Sequence, residues 1–196
     1  MTVAPAGLVA LWHMDEPAGA TVMQDAIGGH NGRLSAVTAG VPGFLGSAYG
    51  FDHGSVAVPS APALNPGAAD LTTTIRLKAT LVPATPDWDL LRKGLFTSAG
   101  GEYKMEYQPT GQASCGFMGS TGSSEIIDGP AINDGAWHTI TCVKTATAIT
   151  LIVDGQAFAK AARIGTISNS ADLVIGARPG SEFFRGTLDE ASVQVG

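Results

Sequence analysis

Apolar and polar residues alternate one by one through most of this chain, and that two-residue period is what most limits the folds open to it. The clearest run sets Leu71, Thr73, Ile75, Leu77, Ala79 and Leu81 against Thr72, Thr74, Arg76, Lys78 and Thr80. Successive side chains of a strand point to opposite faces, so this run reads as a strand with one face buried and the other wet. The period recurs in Leu8, Ala10, Trp12 and Met14, and in Tyr103, Met105 and Tyr107 against Lys104, Glu106 and Gln108. Ile149, Leu151 and Val153 repeat it up to the turn Asp154-Gly155. No segment sustains a helical period.

Turn chemistry separates these runs at Gly28-Gly29, Asn31-Gly32, Pro42-Gly43, Pro66-Gly67, Asp134-Gly135, Asp154-Gly155 and Pro179-Gly180. Many short strands joined by Gly- and Pro-containing turns predict an all-β sandwich or barrel. The last strand carries a phase change: Leu188 is in step with Phe184, but Ala191, Val193 and Val195 fall on the opposite phase. A bulge at Asp189-Glu190 reconciles the two halves.

At 196 residues the chain is long enough for one such core, so a single domain over 8–196 is expected, preceded by a linker at 1–7 containing Ala4-Pro5-Ala6-Gly7. Eleven Lys and Arg against seventeen Asp and Glu leave a net charge of −6 with no basic run. That balance argues against nucleic acid as a partner. No apolar stretch approaches the roughly 18–20 residues of a membrane span. Met1 to Gly7 has neither a basic region nor an apolar core, so an export signal would lie outside this sequence. Cys115 and Cys142 sit in apolar or alternating stretches with no CxxC spacing, which fits either a disulfide or two buried thiols but not a zinc site.

Five segments, taken in order, resemble the laminin-G-like jelly-roll domains of the concanavalin A-like lectin/glucanase superfamily. They are Leu8-Val9-Ala10-Leu11-Trp12-His13-Met14-Asp15-Glu16 with Asp25 and Gly28 to Gly32, then Gly46 to Asp52 with Val56 to Pro59. Asp134-Gly135-Ala136-Trp137-His138, Leu151-Ile152-Val153-Asp154-Gly155 and Phe184 to Ala191 follow. The resemblance implies a two-sheet antiparallel jelly-roll sandwich with one concave sheet and with the first and last strands as neighbours. It also implies a calcium ion at one edge. Calcium takes about six to eight oxygens at 2.3–2.6 Å, and Asp25, Asn31, Asp189 and Asp52 are the candidate side-chain donors.

Sugar binding requires an aromatic platform and a few planar polar groups. Trp88, Tyr103, Tyr107 and Phe184, with Arg92 and Arg178, are the candidates, and Trp88, set among polar residues in Pro86-Asp87-Trp88-Asp89, is expected to be exposed. Arg76, where the family often has an aromatic residue, suggests a charged groove suited to anionic glycans or a protein partner. Catalytic patterns are weak. The Glu-x-Asp-x-x-Glu series is absent, and Asp87 with Asp89, or Glu102 with Glu106, lacks a third acid nearby in sequence. His138 follows a structural Trp, and no Gly-x-Ser-x-Gly or phosphate loop occurs. The expected function is a non-catalytic, lectin-like carbohydrate-binding module, monomeric within a larger bacterial polypeptide that is secreted or displayed on the cell surface. A polysaccharide lyase or glycoside hydrolase on the same fold, and a protein-interaction or adhesion module, are the alternatives.

Overall fold

A computed structural model describes residues 7–84 and 86–196; most of the expected linker, residues 1–6, lies outside them. Among the described residues, fourteen strands and one short 3-10 turn follow one another, beginning with β1 (Leu8–Trp12), β2 (Val22–Met23), β3 (Gly32–Pro42), β4 (Ser47–Val58), the turn Pro62–Leu64, β5 (Leu71–Lys78), β6 (Trp88–Lys93) and β7 (Glu102–Tyr107). The chain continues through β8 (Ala113–Gly119), β9 (Gly122–Ile127), β10 (Trp137–Lys144), β11 (Ala148–Val153), β12 (Gln156–Ala161), β13 (Leu173–Ile175) and β14 (Arg185–Val195).

The strands pair antiparallel in the order β12-β11-β10-β5-β14-β4-β13-β6-β7-β8-β9. This single path folds into two layers because β4 belongs to both. Its first half pairs with β14, Tyr49 opposite Leu188, and its last residues pair with β13, Val56 opposite Ile175. His53, at φ 65, lies at the bend between them. The result is a jelly-roll sandwich of the expected class. β11 of one layer lies against β8 and β9 of the other, and the Cys115–Cys142 disulfide, with Cα atoms 5.6 Å apart, ties β8 to β10 across the core. The disulfide is thus the outcome of the two that the sequence left open.

Alternation fills the interior. Leu71, Ile75 and Leu77 of β5, Ile140 of β10, Leu151 of β11 and Met105 of β7 are fully enclosed, and each such side chain contributes about 1.5–3 kcal/mol relative to exposure. The strand read as far as Leu81 ends at Lys78, where its partners run out: Lys78 faces Trp137, the first residue of β10. The bulge in the last strand is present, with a register shift between Asp189 and Ser192 and Glu190 at φ 49. Asp154 and Gly155, at φ 49 and 84, form the tight turn from β11 to β12 that needs positive φ at both central residues. β1 pairs antiparallel with the end of β14, Leu8 opposite Gln194, so the first and last strands are neighbours.

Candidate functional site

The outer face of the β13-β6-β7-β8-β9 layer gathers most of the buried charge of the molecule. In β7, alternation sends Tyr103, Met105 and Tyr107 into the core and leaves Glu102, Lys104 and Glu106 on the outer face. Across the ladder Asp89 faces Glu106 and Arg92 faces Lys104. Residues three apart on a regular strand would point to opposite faces. The register shift between Asp89 and Leu91 breaks that rule and brings Asp89 and Arg92 to one side.

Arg92, only 4% exposed, is the hub of this face. Its Nε lies 2.9 Å from Asp89 Oδ2, and its Nη1 and Nη2 lie 3.3 Å from Glu102 Oε2 and Glu106 Oε1. Lys104 Nζ donates to the same Glu106 oxygen. Ser114 Oγ, which receives Gln108 Nε2 at 2.9 Å, lies 3.3 Å from Glu106 Oε2. The stem of Lys104 runs over Gly116, where an added Cβ would come within 2.5 Å of its Cε. Burial pushes the Asp89 carboxyl up to about 8 against the pull of Arg92, and Glu106 adds to the rise. Burial likewise raises Asp87, Glu102 and Glu106. For Lys104 burial acts downward, but Glu106 holds the ammonium above its ordinary value.

Three cavities adjoin on this face. One of about 220 Å³ is walled by Asp87, Arg92, Glu102, Lys104, Glu106, Arg178 and Glu182, with Pro86 and Phe96 at its sides. A second, of about 440 Å³, shares Phe96, Glu102 and Lys104 with it and continues over Gly116, Ser124 and Glu125 to Lys160. On the other side of Arg92 a third, of about 410 Å³, is lined by Leu95, Val174, Pro179 and Asp172 among others. Phe96, 67% exposed, stands between the first two.

Of the expected ligand residues, Arg92 and Arg178 lie here. Trp88, Tyr103 and Tyr107 do not: they turn to the core. Tyr103 and Tyr107 are fully buried, and the half-buried Trp88 packs with ring centroids 6.2 Å from Tyr107 and 6.1 Å from the enclosed Phe184. The reason is the pleat, which places Trp88 opposite Tyr107 on the inward side. Arg76 belongs to the other layer, its guanidinium 3.7 Å from the centre of the Phe44 ring, so it does not charge this groove. Phe96 escaped the sequence reading; its signal was a lone aromatic in a Gly- and Ser-containing stretch with no alternating partner.

The four expected calcium donors divide into three separate places. Asp25 Oδ1 accepts from the N–H groups of Leu11 and Ile27, and Oδ2 from those of Gly28 and His30, at 2.8–3.0 Å. Asn31 Oδ1 accepts from Asp25 N at 2.9 Å. Asp189 Oδ2 receives Phe44 N at 2.8 Å and Leu45 N at 3.2 Å, and its Oδ1 receives Glu190 N. Asp52 pairs with Arg185 and His53 at the surface. So separated, the four do not gather round one ion. Asp25, Asn31 and Asp189 fix their loops through these N–H contacts, and the four backbone donors outweigh burial in holding Asp25 below the usual carboxylate range.

A family model of the concanavalin A-like lectin/glucanases superfamily matches residues 51–194. No curated protein matches the chain. Among solved structures, domain 4 of AbnA, a GH43 extracellular arabinanase from Geobacillus stearothermophilus, in complex with arabinotriose, is 15% identical with a TM-score of 0.72, over 97% of this chain and 93% of that one. The binding domain of Paraclostridial Mosquitocidal Protein 1 is 17% identical with a TM-score of 0.71, over 96% of this chain, which spans about half (48%) of that one. The Trypanosoma rangeli sialidase in complex with sialic acid is 17% identical with a TM-score of 0.70, over 99% of this chain and 31% of the sialidase. At these identities the likeness is one of fold. Among the described residues no helix is long and apolar enough to cross a membrane.

Proposed function

Because the chain belongs to the concanavalin A-like lectin/glucanases superfamily, we propose that it is a non-catalytic carbohydrate-binding module of an exported protein, taking its glycan along the outer face of the β6–β9 layer. One observation carries the reading. The exposed ring of Phe96 stands between two adjoining cavities lined by carboxylates, by the ammonium groups of Lys104 and Lys160 and by the guanidinium groups of Arg92 and Arg178. An aromatic face for a sugar ring beside planar polar groups for its hydroxyls is what a saccharide site requires. The fold neighbours include a domain of an arabinanase holding arabinotriose and a sialidase holding sialic acid, which supports a carbohydrate as the class of ligand. The disulfide supports an oxidising, exported setting.

Burial argues for binding over hydrolysis. Asp89 and Glu106 are 0% and 1% exposed, and a general acid must come within about 3.2 Å of the glycosidic oxygen that it protonates. Carboxyls enclosed in an ion-pair network do not meet a substrate that way. A protein ligand has one supporting feature, the exposed Phe44 and Leu45 beside Trp137 on the opposite layer.

A panel of soluble and insoluble polysaccharides, screened by affinity electrophoresis and pull-down with wild type, Phe96→Ala and Phe44→Ala, tests the proposal. Saturable binding weakened tenfold or more by Phe96→Ala and untouched by Phe44→Ala is the expected result. A well-folded wild type that binds no glycan, or binding lost only in Phe44→Ala, defeats it.

A further inference from the structure

We propose that the floor of this groove holds one divalent cation of the hard, oxygen-seeking class, such as calcium, ligated by Asp87, Asp89 and Glu106. Asp87 and Asp89 flank Trp88 on β6 and its approach, and Glu106 faces Asp89 across the ladder. One carboxylate oxygen from each lies within 4.8 Å of the others. Two oxygens at about 2.3–2.6 Å from a common calcium are at most about 5 Å apart, so the three can share one ion without a change of backbone.

A second observation points to an occupant. Asp89 is wholly buried, yet among the described residues no donor reaches either of its oxygens in hydrogen-bonding geometry. Arg92 Nε lies 2.9 Å from Oδ2 as an ion pair, which leaves Oδ1 without a hydrogen-bond partner among the described residues. Asp87 Oδ1 is buried and unpartnered as well. Buried acceptors are nearly always satisfied, and an exception in a cavity calls for water, a proton or an ion. Charge favours the ion. Four carboxylates line the smallest of the three cavities against two guanidinium groups and one ammonium, an excess of one negative charge to which the buried Asp89 adjoining Asp87 and Glu106 adds when it is ionised.

The ligand set is all oxygen, which selects calcium-like ions over metals that prefer nitrogen or sulfur. Glu106 is the shared ligand, since it also meets Lys104; Lys104, 20% exposed, has room to swing outward as the ion enters. Three protein ligands leave several positions open toward the cavity for water. Occupation of those positions by sugar hydroxyls would rest on the glycan reading; the ion itself does not.

Terbium luminescence sensitised by tryptophan tests the site without any glycan, because Trp88 lies between two of the ligands. The expected result is a saturable signal displaced by calcium, with affinity reduced at least tenfold in Asp87→Asn and in Asp89→Asn and unchanged in Asp25→Asn. Asp87 is partly exposed, so its variant keeps the test valid if Asp89→Asn fails to fold. No saturable signal, or a signal lost in Asp25→Asn and kept in Asp87→Asn, overturns the proposal. Loss of glycan binding with terbium binding intact would count against the glycan reading alone.

Discussion

Replacing Asp25 by alanine measures what its carboxylate does. The side chain accepts four backbone N–H groups. Those of Ile27 and Gly28 are exposed and would turn to water at little cost, whereas those of Leu11 and His30 lie in part-buried settings. Leaving a buried donor unmade costs about 1–3 kcal/mol. Two of them, discounted for partial access of water, give about 3 kcal/mol. In a domain of this size each kcal/mol moves the melting temperature by about 2–4 °C, so Asp25→Ala should melt about 6–12 °C below wild type. Thermal unfolding followed by circular dichroism, in EDTA and in excess calcium, reads this directly. The deficit should be the same in both, because the carboxylate serves N–H donors. The folded carboxyl is more acidic than the unfolded one, so its stabilisation is present above the unfolded value near 4 and is lost as pH falls through the folded value. A melting deficit below about 2 °C, or one that appears only in calcium, refutes the reasoning.

Replacing Cys115 and Cys142 together by alanine removes a cross-link between residues 27 apart in sequence, and loop-closure entropy then predicts a loss of about 3.5 kcal/mol in chemical denaturation; a change under 1 kcal/mol contradicts it. Lys93, fully buried with no acidic partner in contact among the described residues, donates from Nζ to Ser60 Oγ, to both Asn169 acceptors and to Ala171 O at 2.7–3.1 Å. Lys93→Met should therefore cost about 2–4 kcal/mol and speed hydrogen exchange around residues 168–172, and unchanged exchange there would show that the lysine does not hold that loop. His138 bridges Asp134 and Asp154 at 3.0 and 2.7 Å, and although burial acts downward, these two carboxylates hold its pKa above the ordinary value. Its stabilisation is full below about pH 6.5 and fades as pH rises through the folded value. The melting temperature of wild type relative to His138→Gln should thus fall from pH 6 toward pH 8, and a constant difference would argue against the bridge.

The sandwich was legible because a face buried on one side writes a period of two into the sequence, and the bulge at Asp189-Glu190 was legible because it shifts the phase of Ala191, Val193 and Val195. The groove was harder to read. The irregularity between Asp89 and Leu91 inverts the phase of one strand without disturbing an apolar pattern, so nothing local shows that Asp89 and Arg92 share a side. Trp88 looked exposed because its neighbours in sequence are polar, whereas its neighbours in space, Tyr107 and Phe184, come from β7 and the approach to β14. Asp25 and Asn31 have the donor chemistry of a cation site, and composition cannot tell a lone pair aimed at an ion from one aimed at an N–H.

The antiparallel pairing of Leu8–Trp12 with the end of β14 has a mechanical meaning. Gly7 and Val195, joined by a hydrogen bond of 2.8 Å, leave the domain side by side, so a pull through the two ends separates β1 from β14 like a zip. The ladder rungs then break in succession instead of sharing the load. Strung between other domains under tension, this one would peel open from its ends at low force, while the disulfide would still clasp the two layers.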